Sequence, residues 1–414
     1  MKNAFVLAVA GLMLLGGMVP PPAMAEDTIK IGYIDPLSGS GASTGQIGLD
    51  QLNYIAEQIN AKGGLLGAKV QIVPYDNKVN PQETLVQVQK AIDDGVRIIT
   101  QGNGSSVAIA LENFVAKYNE RNPGKEVVYL NYAAIDPVLT NEDCSYWHFS
   151  FDANVDIKMT ALTNFMKKKP AIKKIYLINQ DYSFGHSVAD AATSMLKTKR
   201  PDIQIVGSEF VPLLKVTDFS PYIAKIKASG ADSVITGNWG QDFALLLKAA
   251  ADAGLKVDWY TYYASIAGGP TAIKEANLPN RVYQITEGVS DASDASARRV
   301  IAAYLGTHKN PFYYPRIFNE TGMLFEAIRE AKSADPAKFA PKLEGMKYAT
   351  FSSGAQGFMR NTDHQFFQPL FISSLGPVAN AQFTEENTGW SWNAVGSVPT
   401  EDTLLPTTCK MKRP

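Results

Sequence analysis

Cysteine and histidine are both scarce in this chain of 414 residues, which contains two cysteines and four histidines. The histidines are far apart in the sequence, so none has a second histidine at the spacing of metal ligands. The four are His148, His186, His308 and His364. The phosphate-loop pattern GxxxxGKS/T is also missing. These absences argue against a metal site and against an enzyme.

A glycine pattern after the first predicted strand imitates a dinucleotide-binding fingerprint. It consists of Gly39, Gly41 and Gly45, and its spacing is GxGxxxG instead of GxGxxG. Asp76 lies farther along the chain than the ribose-binding acid of that fingerprint. We therefore expect no cofactor.

An excess of either charge is missing as well. The chain has 39 Lys and Arg against 40 Asp and Glu, which gives a net charge of −1. Proteins that bind nucleic acid or anionic membranes usually carry a strongly basic surface. The balance therefore argues against either partner.

Long apolar runs are absent after the first 25 residues. Within those residues, Lys2 precedes an apolar stretch over 5–18, and Ala23-Met24-Ala25 has the small-x-small pattern of a cleavage site. The stretch is too short for a transmembrane helix. The sequence predicts a signal peptide over 1–25, cleavage after Ala25 and an exported protein.

The two cysteines, Cys144 and Cys409, both lie in the predicted mature chain. An even number of cysteines in an exported protein favours a disulfide between them. Such a bond would fasten the C-terminal tail near the middle of the chain. Two free buried thiols are the alternative.

What the chain does contain is a regular alternation of apolar strands and amphipathic helices, in two successive runs. The first run covers about 28–132 and the second about 151–263. Apolar strands that alternate with helices are typical of parallel sheets covered on both faces. Each run is too short for a barrel, so two open α/β sheets are expected. Ligands of such sheets bind beyond the carboxyl ends of the strands.

The stretch 95–106 runs from a predicted strand through a glycine-rich loop into a helix. The free N–H groups of a helix start attract anions, and Ser105 and Ser106 add hydroxyl donors. The loop carries no charged side chain, which suits a small carboxylate held by neutral donors. An ordinary strand-to-helix turn with a serine cap is the alternative.

Five segments in a fixed order carry a resemblance to a known family. They are 31–39 (IGYIDPLSG), 59–67 (INAKGGLLG), 136–140 (DPVLT), 181–185 (DYSFG) and 253–256 (AGLK). The chain resembles the type I periplasmic substrate-binding proteins of ABC importers, of the leucine/isoleucine/valine-binding branch. The resemblance implies two Rossmann-like α/β lobes with parallel sheets, joined by a hinge of three crossovers. The lobes would close on a ligand in the cleft between them.

Further expectations follow from that resemblance. Lobe 1 would comprise 27–149 and 285–357, and lobe 2 would comprise 150–284 and 358–414 with the tail. The protein would lie in the periplasm as a monomer and deliver a small carboxylate to an ABC permease in the inner membrane. A sensory protein that presents its ligand to a membrane receptor would have the same cleft and is the alternative.

The resemblance also assigns ligand-binding positions to the loops at the strand ends. Ser105 and Ser106 match the serines that hold the ligand carboxylate. The other positions are Thr44, Ala133, Ala134, Ile135, Tyr182, Phe184, Asn238, Trp239 and Tyr263. Phe184, Trp239 and Tyr263 have an alternative interpretation as core aromatics.

The ligand is expected to lack an ammonium group. Amino-acid binders of this family supply an acid where this chain has Tyr262-Tyr263-Ala264, and a Thr or Ser where it has Ile135. A buried ammonium group needs such partners. The sequence therefore predicts a carboxylate with an apolar or aromatic body, such as an aromatic or keto acid. Asp136 or Asp181 remains a candidate for the missing anion.

Overall fold

The computed structural model describes Met1 and residues 28–414. The predicted signal peptide and its cleavage site fall within residues 2–27 and so lie outside the described residues. Across the described part of the chain, no helix combines the length and the apolar character needed to cross a membrane.

The first lobe is built on a five-stranded parallel sheet with the order β2-β1-β3-β4-β5. Its strands are β1 (Thr28–Asp35), β2 (Lys69–Asp76), β3 (Ile98–Gln101), β4 (Val128–Asn131) and β5 (His148–Ser150). Three helices connect them: α1 (Ala42–Asn60), α2 (Pro81–Asp93) and α3 (Ser105–Arg121). Every residue of β3 and β4 is buried, as a parallel sheet covered on both faces requires.

The second lobe is built on a seven-stranded sheet with the order β15-β14-β10-β9-β8-β6-β7. Its parallel strands are β6 (Lys174–Gln180), β7 (Gln204–Val211), β8 (Ser233–Thr236), β9 (Asp258–Thr261) and β10 (Val282–Thr286). Two late strands extend that sheet: β14 (Leu370–Gly376) pairs antiparallel with β10, and β15 (Ser391–Val398) pairs antiparallel with β14. The helices are α4 (Val155–Met166), α5 (Ser183–Lys199), α6 (Ser220–Ser229), α7 (Gly240–Asp252) and α8 (Gly269–Glu275).

The segment between β10 and β14 returns to the first lobe. Its helices are α9 (Ala295–Thr307), α10 (Pro315–Ala331) and α11 (Pro336–Leu343), and α10 packs against α1. A small antiparallel sheet follows, formed by β11 (Lys347–Ala349), β12 (Gln356–Met359) and β13 (Phe366–Phe367).

The chain therefore passes between the two sheets three times. The crossings are 151–154 after β5, 287–294 after β10, and 368–369 before β14. Ser150 pairs with Gln365, which brings the first and third crossings side by side. The predicted architecture of two α/β lobes joined by three crossovers is confirmed. The predicted lobe boundaries at 284/285 and 357/358 fall inside β10 and β12 and stay a prediction.

Local sequence explains why several helices begin where they do. Asn80 precedes α2, its side chain accepts a hydrogen bond from the Glu83 N–H at 2.8 Å, and Pro81 takes the first helical position. Asn154 caps α4 in the same way through the Ile157 N–H at 3.1 Å. These caps satisfy N–H groups that the helices themselves leave free.

Cys144 and Cys409 form a disulfide across 265 residues of sequence, so the predicted pairing is confirmed. Cys144 lies in the loop between β4 and β5 of the first lobe, and Cys409 lies in the tail after β15 of the second. The bond therefore connects the C-terminal tail to the first lobe.

Candidate ligand-binding site

A small cavity of about 20 Å³ lies between the lobes, where the carboxyl ends of their parallel strands meet. Loops after β3 and β4 form its first-lobe wall, and loops after β6, β8 and β9 form the opposite wall. The lining residues are Gly102, Asn103, Gly104, Ser105, Ala133, Ala134, Ile135, Tyr182, Phe184, Trp239, Tyr263 and Ile266. Strand ends at a cleft are the expected ligand position for open α/β sheets.

The loop after β3 needs its glycines. Gly104 has φ +98°, a conformation that favours glycine. At Gly102, an added Cβ would lie 2.6 Å from the ring of Tyr132. With both glycines in place, α3 begins at Ser105, so the free N–H groups and the positive end of this helix face the cleft.

A buried carboxylate at the end of β1 holds the loop after β3 in place. Asp35 at the end of β1 is completely buried. It accepts hydrogen bonds from the backbone N–H groups of Gly102 at 3.1 Å and Asn103 at 2.9 Å, and from the Tyr132 hydroxyl at 2.6 Å. Burial raises the pKa of Asp35 to about 6, although these bonds favour the ionised form. Two loop N–H groups are thus used by the protein, and the donors left for a ligand begin at Ser105.

The two predicted serines occupy different places. Ser105 lines the cavity, and its hydroxyl accepts a hydrogen bond from the Asp136 N–H at 3.3 Å. Ser106 lies outside the lining, and its Oγ is 3.4 Å from the Oγ of Ser183 on α5 of the second lobe. Ser187 also reaches across, donating to Asp136 Oδ2 at 3.3 Å. These serine contacts lie where the two lobes meet beside the cavity.

Two other predicted positions also lie outside the lining. The Thr44 hydroxyl donates to the Gly41 carbonyl at 2.7 Å. The Asn238 side chain is fully buried and has no hydrogen-bond partner among the described residues. The remaining predicted positions, from Ala133 to Tyr263, do line the cavity.

Aromatic side chains form most of the second-lobe wall. The Trp239 indole donates to the Tyr182 hydroxyl at 2.8 Å, which fixes both rings. Phe184 lies 6.0 Å from Tyr263, measured between ring centroids. Phe184 and Trp239 are nearly inaccessible to solvent. This wall offers apolar surface with two hydroxyl groups, those of Tyr182 and Tyr263.

Four charged side chains form a buried cluster behind Tyr263, here called the hinge charge cluster. It comprises Asp152, Lys158, Glu287 and Arg316, none with more than 4% of its side chain exposed. Lys158 Nζ lies 2.7 Å from Asp152 Oδ1, and Arg316 Nη1 lies 2.7 Å from Glu287 Oε1. Arg316 Nε also lies 3.5 Å from Asp152 Oδ2.

Burial lowers the pKa of Lys158. For Arg316 burial acts in the same direction, but the charges of Asp152 and Glu287 outweigh it and raise the pKa. Two cations thus balance two anions, and the cluster has no surplus charge. Within the described residues, the cavity lining itself contains no charged side chain, and no group of three metal-ligating side chains comes together.

Comparison with known proteins identifies the family of this two-lobed chain. A family profile described as "Periplasmic binding protein" matches residues 28–379. The chain belongs to the periplasmic binding protein family. Its members bind solutes and are not enzymes, so the expectation that this chain is not an enzyme is confirmed.

One full-length relative of this periplasmic binding protein is the Leu/Ile/Val-binding protein homolog 4 of Brucella abortus. It is 32% identical over 418 residues, which covers 99% of this chain and 97% of that protein. The Leu/Ile/Val-binding protein of Escherichia coli is 25% identical over 268 residues, covering 64% of this chain and 67% of that protein.

A solved structure with a similar fold is the leucine-, isoleucine-, valine-, threonine- and alanine-binding protein from Brucella ovis, in a closed conformation. Its TM-score is 0.82 at 31% identity, covering 94% of this chain and all of that one. A solute binding protein of Rhodopseudomonas palustris in complex with 3,4-dihydroxybenzoic acid has a TM-score of 0.76 at 19% identity, covering 91% and 98%. At that identity the second likeness concerns the fold alone.

Sequence reasoning did not identify Asp35 or the assembled hinge charge cluster as parts of the site. Of the cluster it considered only Arg316, as a second candidate for holding the anion. Asp152 and Arg316 are 164 positions apart in the printed sequence, and no local pattern joins them. Asp35 was part of the segment that carries the family resemblance, but its position beneath the β3–α3 loop follows only from the paired strands β1 and β3.

Proposed function

We propose that this protein is the extracytoplasmic solute-binding component of an ABC importer, and that it closes on a small carboxylate with an apolar or aromatic body. The observation that carries the proposal is the contrast between the two cavity walls. One wall presents a helix start and Ser105, and the other presents four aromatic rings. An anion fits the first wall and an apolar body fits the second.

The carboxylate would be held by neutral donors. The first turn of α3 leaves its N–H groups free, and the Ser105 hydroxyl stands beside them. Neutral donors and a helix dipole stabilise a carboxylate without a buried ion pair. Arg316, an alternative cation behind Tyr263, is already engaged by Glu287 and Asp152.

An ammonium group would find no anionic partner in this cavity. The buried carboxylate of Asp152 is balanced by Lys158 and also accepts from the Tyr263 hydroxyl. Asp136 accepts from Ser187 at the edge of the cleft, and Asp181 is exposed and paired with His186 at 2.9 Å. Since a buried ammonium group without such a partner is costly, we infer a ligand that lacks one.

The relatives support both this ligand class and its main competitor. The Brucella relative is named for leucine, isoleucine and valine, which carry ammonium groups. The Rhodopseudomonas structure holds an aromatic acid that has none. We propose that the present chain resembles the second in its ligand. We also propose that it acts as a monomer with the predicted lobe boundaries and delivers the ligand to an inner-membrane permease.

A thermal-shift screen of matched pairs tests the proposal, because a ligand of the folded state raises apparent stability by mass action. The pairs are leucine with 4-methyl-2-oxopentanoate, and phenylalanine with phenylpyruvate, with benzoate added as an aromatic acid. We expect at least one amine-free acid to raise the melting temperature and its amino-acid partner to leave it unchanged. If no compound in a broad panel of carboxylates raised the melting temperature, the proposed ligand class would be contradicted.

A further inference from the structure

The side chain of Tyr263 joins the two lobes beside the cavity. It belongs to the second lobe and follows β9, yet its hydroxyl donates to the Ala133 carbonyl of the first lobe at 2.9 Å. The same hydroxyl lies 2.8 Å from Asp152 Oδ2 in the hinge charge cluster. A phenol has one hydrogen to donate, so the two acceptors share it.

Asp152 connects this contact to the hinge. It lies in the first crossing between the lobes, and its backbone carbonyl accepts from Gln365 Nε2 at 2.7 Å, beside the third crossing. Its carboxylate meets Lys158 on α4 of the second lobe and Arg316 on α10, which packs against the first lobe. Arg316 in turn binds Glu287 of the second crossing. The cluster therefore includes residues of the first and second crossings and contacts Gln365, just before the third.

The ring of Tyr263 separates this cluster from the cavity. Lys158 Nζ lies 4.6 Å from the ring centroid and the Arg316 guanidinium lies 5.4 Å from it. Separating the lobes takes the Tyr263 hydroxyl away from the Ala133 carbonyl. It also admits water to the ion pairs, which weakens them because the local dielectric constant rises.

We propose that Tyr263 is a positioning residue that couples cleft closure to the hinge charge cluster through its hydroxyl group. In the closed form the hydroxyl bridges the ligand-side loop of the first lobe and Asp152. The bridge stabilises the closed arrangement of the lobes whatever ligand the cleft holds, so the inference does not depend on the ligand proposed above.

The experiment measures the distance between the lobes in the full chain without added ligand. Nitroxide labels on cysteines at the exposed positions Val86 of α2 and Lys197 of α5 report that distance by pulsed electron paramagnetic resonance. Tyr263→Phe removes the hydroxyl and keeps the ring. Tyr262→Phe is the matched control, because the neighbouring hydroxyl bonds only weakly to the Val155 carbonyl at 3.4 Å and lies outside the cavity lining.

We expect Tyr263→Phe to raise the ratio of open to closed molecules by about tenfold, the scale of a lost hydrogen bond to a charged group. Tyr262→Phe should give the wild-type distance distribution. A 3-fluorotyrosine at position 263 restores a hydroxyl and should restore that distribution, which a purely space-filling role would not require. A wild-type distribution in Tyr263→Phe, with folding verified by circular dichroism, would overturn the proposal.

Discussion

Single residues decide what the first-lobe wall can bind. Asp35 accepts hydrogen bonds from two N–H groups of the β3–α3 loop. Gly102 and Gly104 make the conformation of that loop possible. We therefore place the proposed anion site at the start of α3, where Ser105 lines the cavity. A difference of one position places Ser106 outside it, against Ser183.

We predict that Ser105→Ala weakens ligand binding by about 1–3 kcal/mol, because it removes a hydroxyl group from the cavity wall. Ser106→Ala should weaken binding less, since its hydroxyl faces Ser183 across the cleft. Calorimetric titration of the two variants with a ligand found in the thermal-shift screen gives both values. Affinities equal to wild type in both variants would show that the anion is held elsewhere.

Glu320 on α10 provides a residue-scale prediction about pH. It is buried, accepts from the Thr100 hydroxyl at 2.6 Å, and its other oxygen has no hydrogen-bond partner among the described residues. Burial, with a contribution from the charge of Asp35, raises its pKa from 4.5 to about 8. The folded state thus holds this proton more tightly than the unfolded state does. Protonated Glu320 therefore contributes fully to the free energy of unfolding below about pH 4.5, and this contribution is lost as the pH rises to about 8.

We therefore expect Glu320→Gln to reduce the loss of unfolding free energy between pH 5 and pH 8, by about 3–5 kcal/mol at most. Urea unfolding at several pH values measures the slope. Glu326→Gln on the exposed side of the same helix is the control and should keep the wild-type slope. Parallel curves for wild type and Glu320→Gln would contradict a raised pKa at this residue.

At the scale of elements, the C-terminal tail connects the lobes in addition to the three crossings. After β15, its short 3₁₀ turn Thr400–Thr403 packs against α4 of the second lobe. The Thr407 hydroxyl then donates to the Thr140 carbonyl of the first lobe at 2.8 Å, and the disulfide to Cys144 follows. The tail is therefore bound to both lobes.

We predict that the double variant Cys144→Ser/Cys409→Ser lowers the free energy of unfolding by about 2–5 kcal/mol, because the bond restricts the unfolded chain. Chemical denaturation of the oxidised wild type, the reduced wild type and the double variant measures the loss. Reductant should shift the wild-type midpoint and leave that of the double variant unchanged. Coincident midpoints in all three samples would argue that the tail packs as well without the bond.

The helices and strands also show how much of the fold could be predicted from the sequence. Apolar strands such as β3 and β4 have strong local signals and belong to the predicted alternation of strands and helices. Eight of the eleven predicted ligand positions line the cavity, because strand-end loops necessarily meet at one edge of a parallel sheet. The short helix α8 and the late strand β15 were not predicted, since turn-rich sequence gives little periodicity. Nor does any local pattern join Asp152 and Arg316.

At the scale of the whole molecule, two lobes enclose an uncharged cavity while the charges that the site buries are balanced within the hinge. The hinge charge cluster holds two cations and two anions in ion pairs of 2.7 Å. A negative charge on the ligand would therefore contact the start of α3, and a positive charge would find no anionic partner. This division underlies the proposed preference for a carboxylate without an ammonium group.

Isothermal titration calorimetry of the purified protein with leucine and with 4-methyl-2-oxopentanoate tests that claim most directly, followed by phenylalanine against phenylpyruvate. The members of each pair share an apolar body and a carboxylate and differ in the ammonium group. We expect saturable, one-to-one binding of at least one keto acid and much weaker binding of its amino acid. Tight binding of leucine with no response to the amine-free acids would contradict it and would assign the chain to the ordinary amino-acid binders.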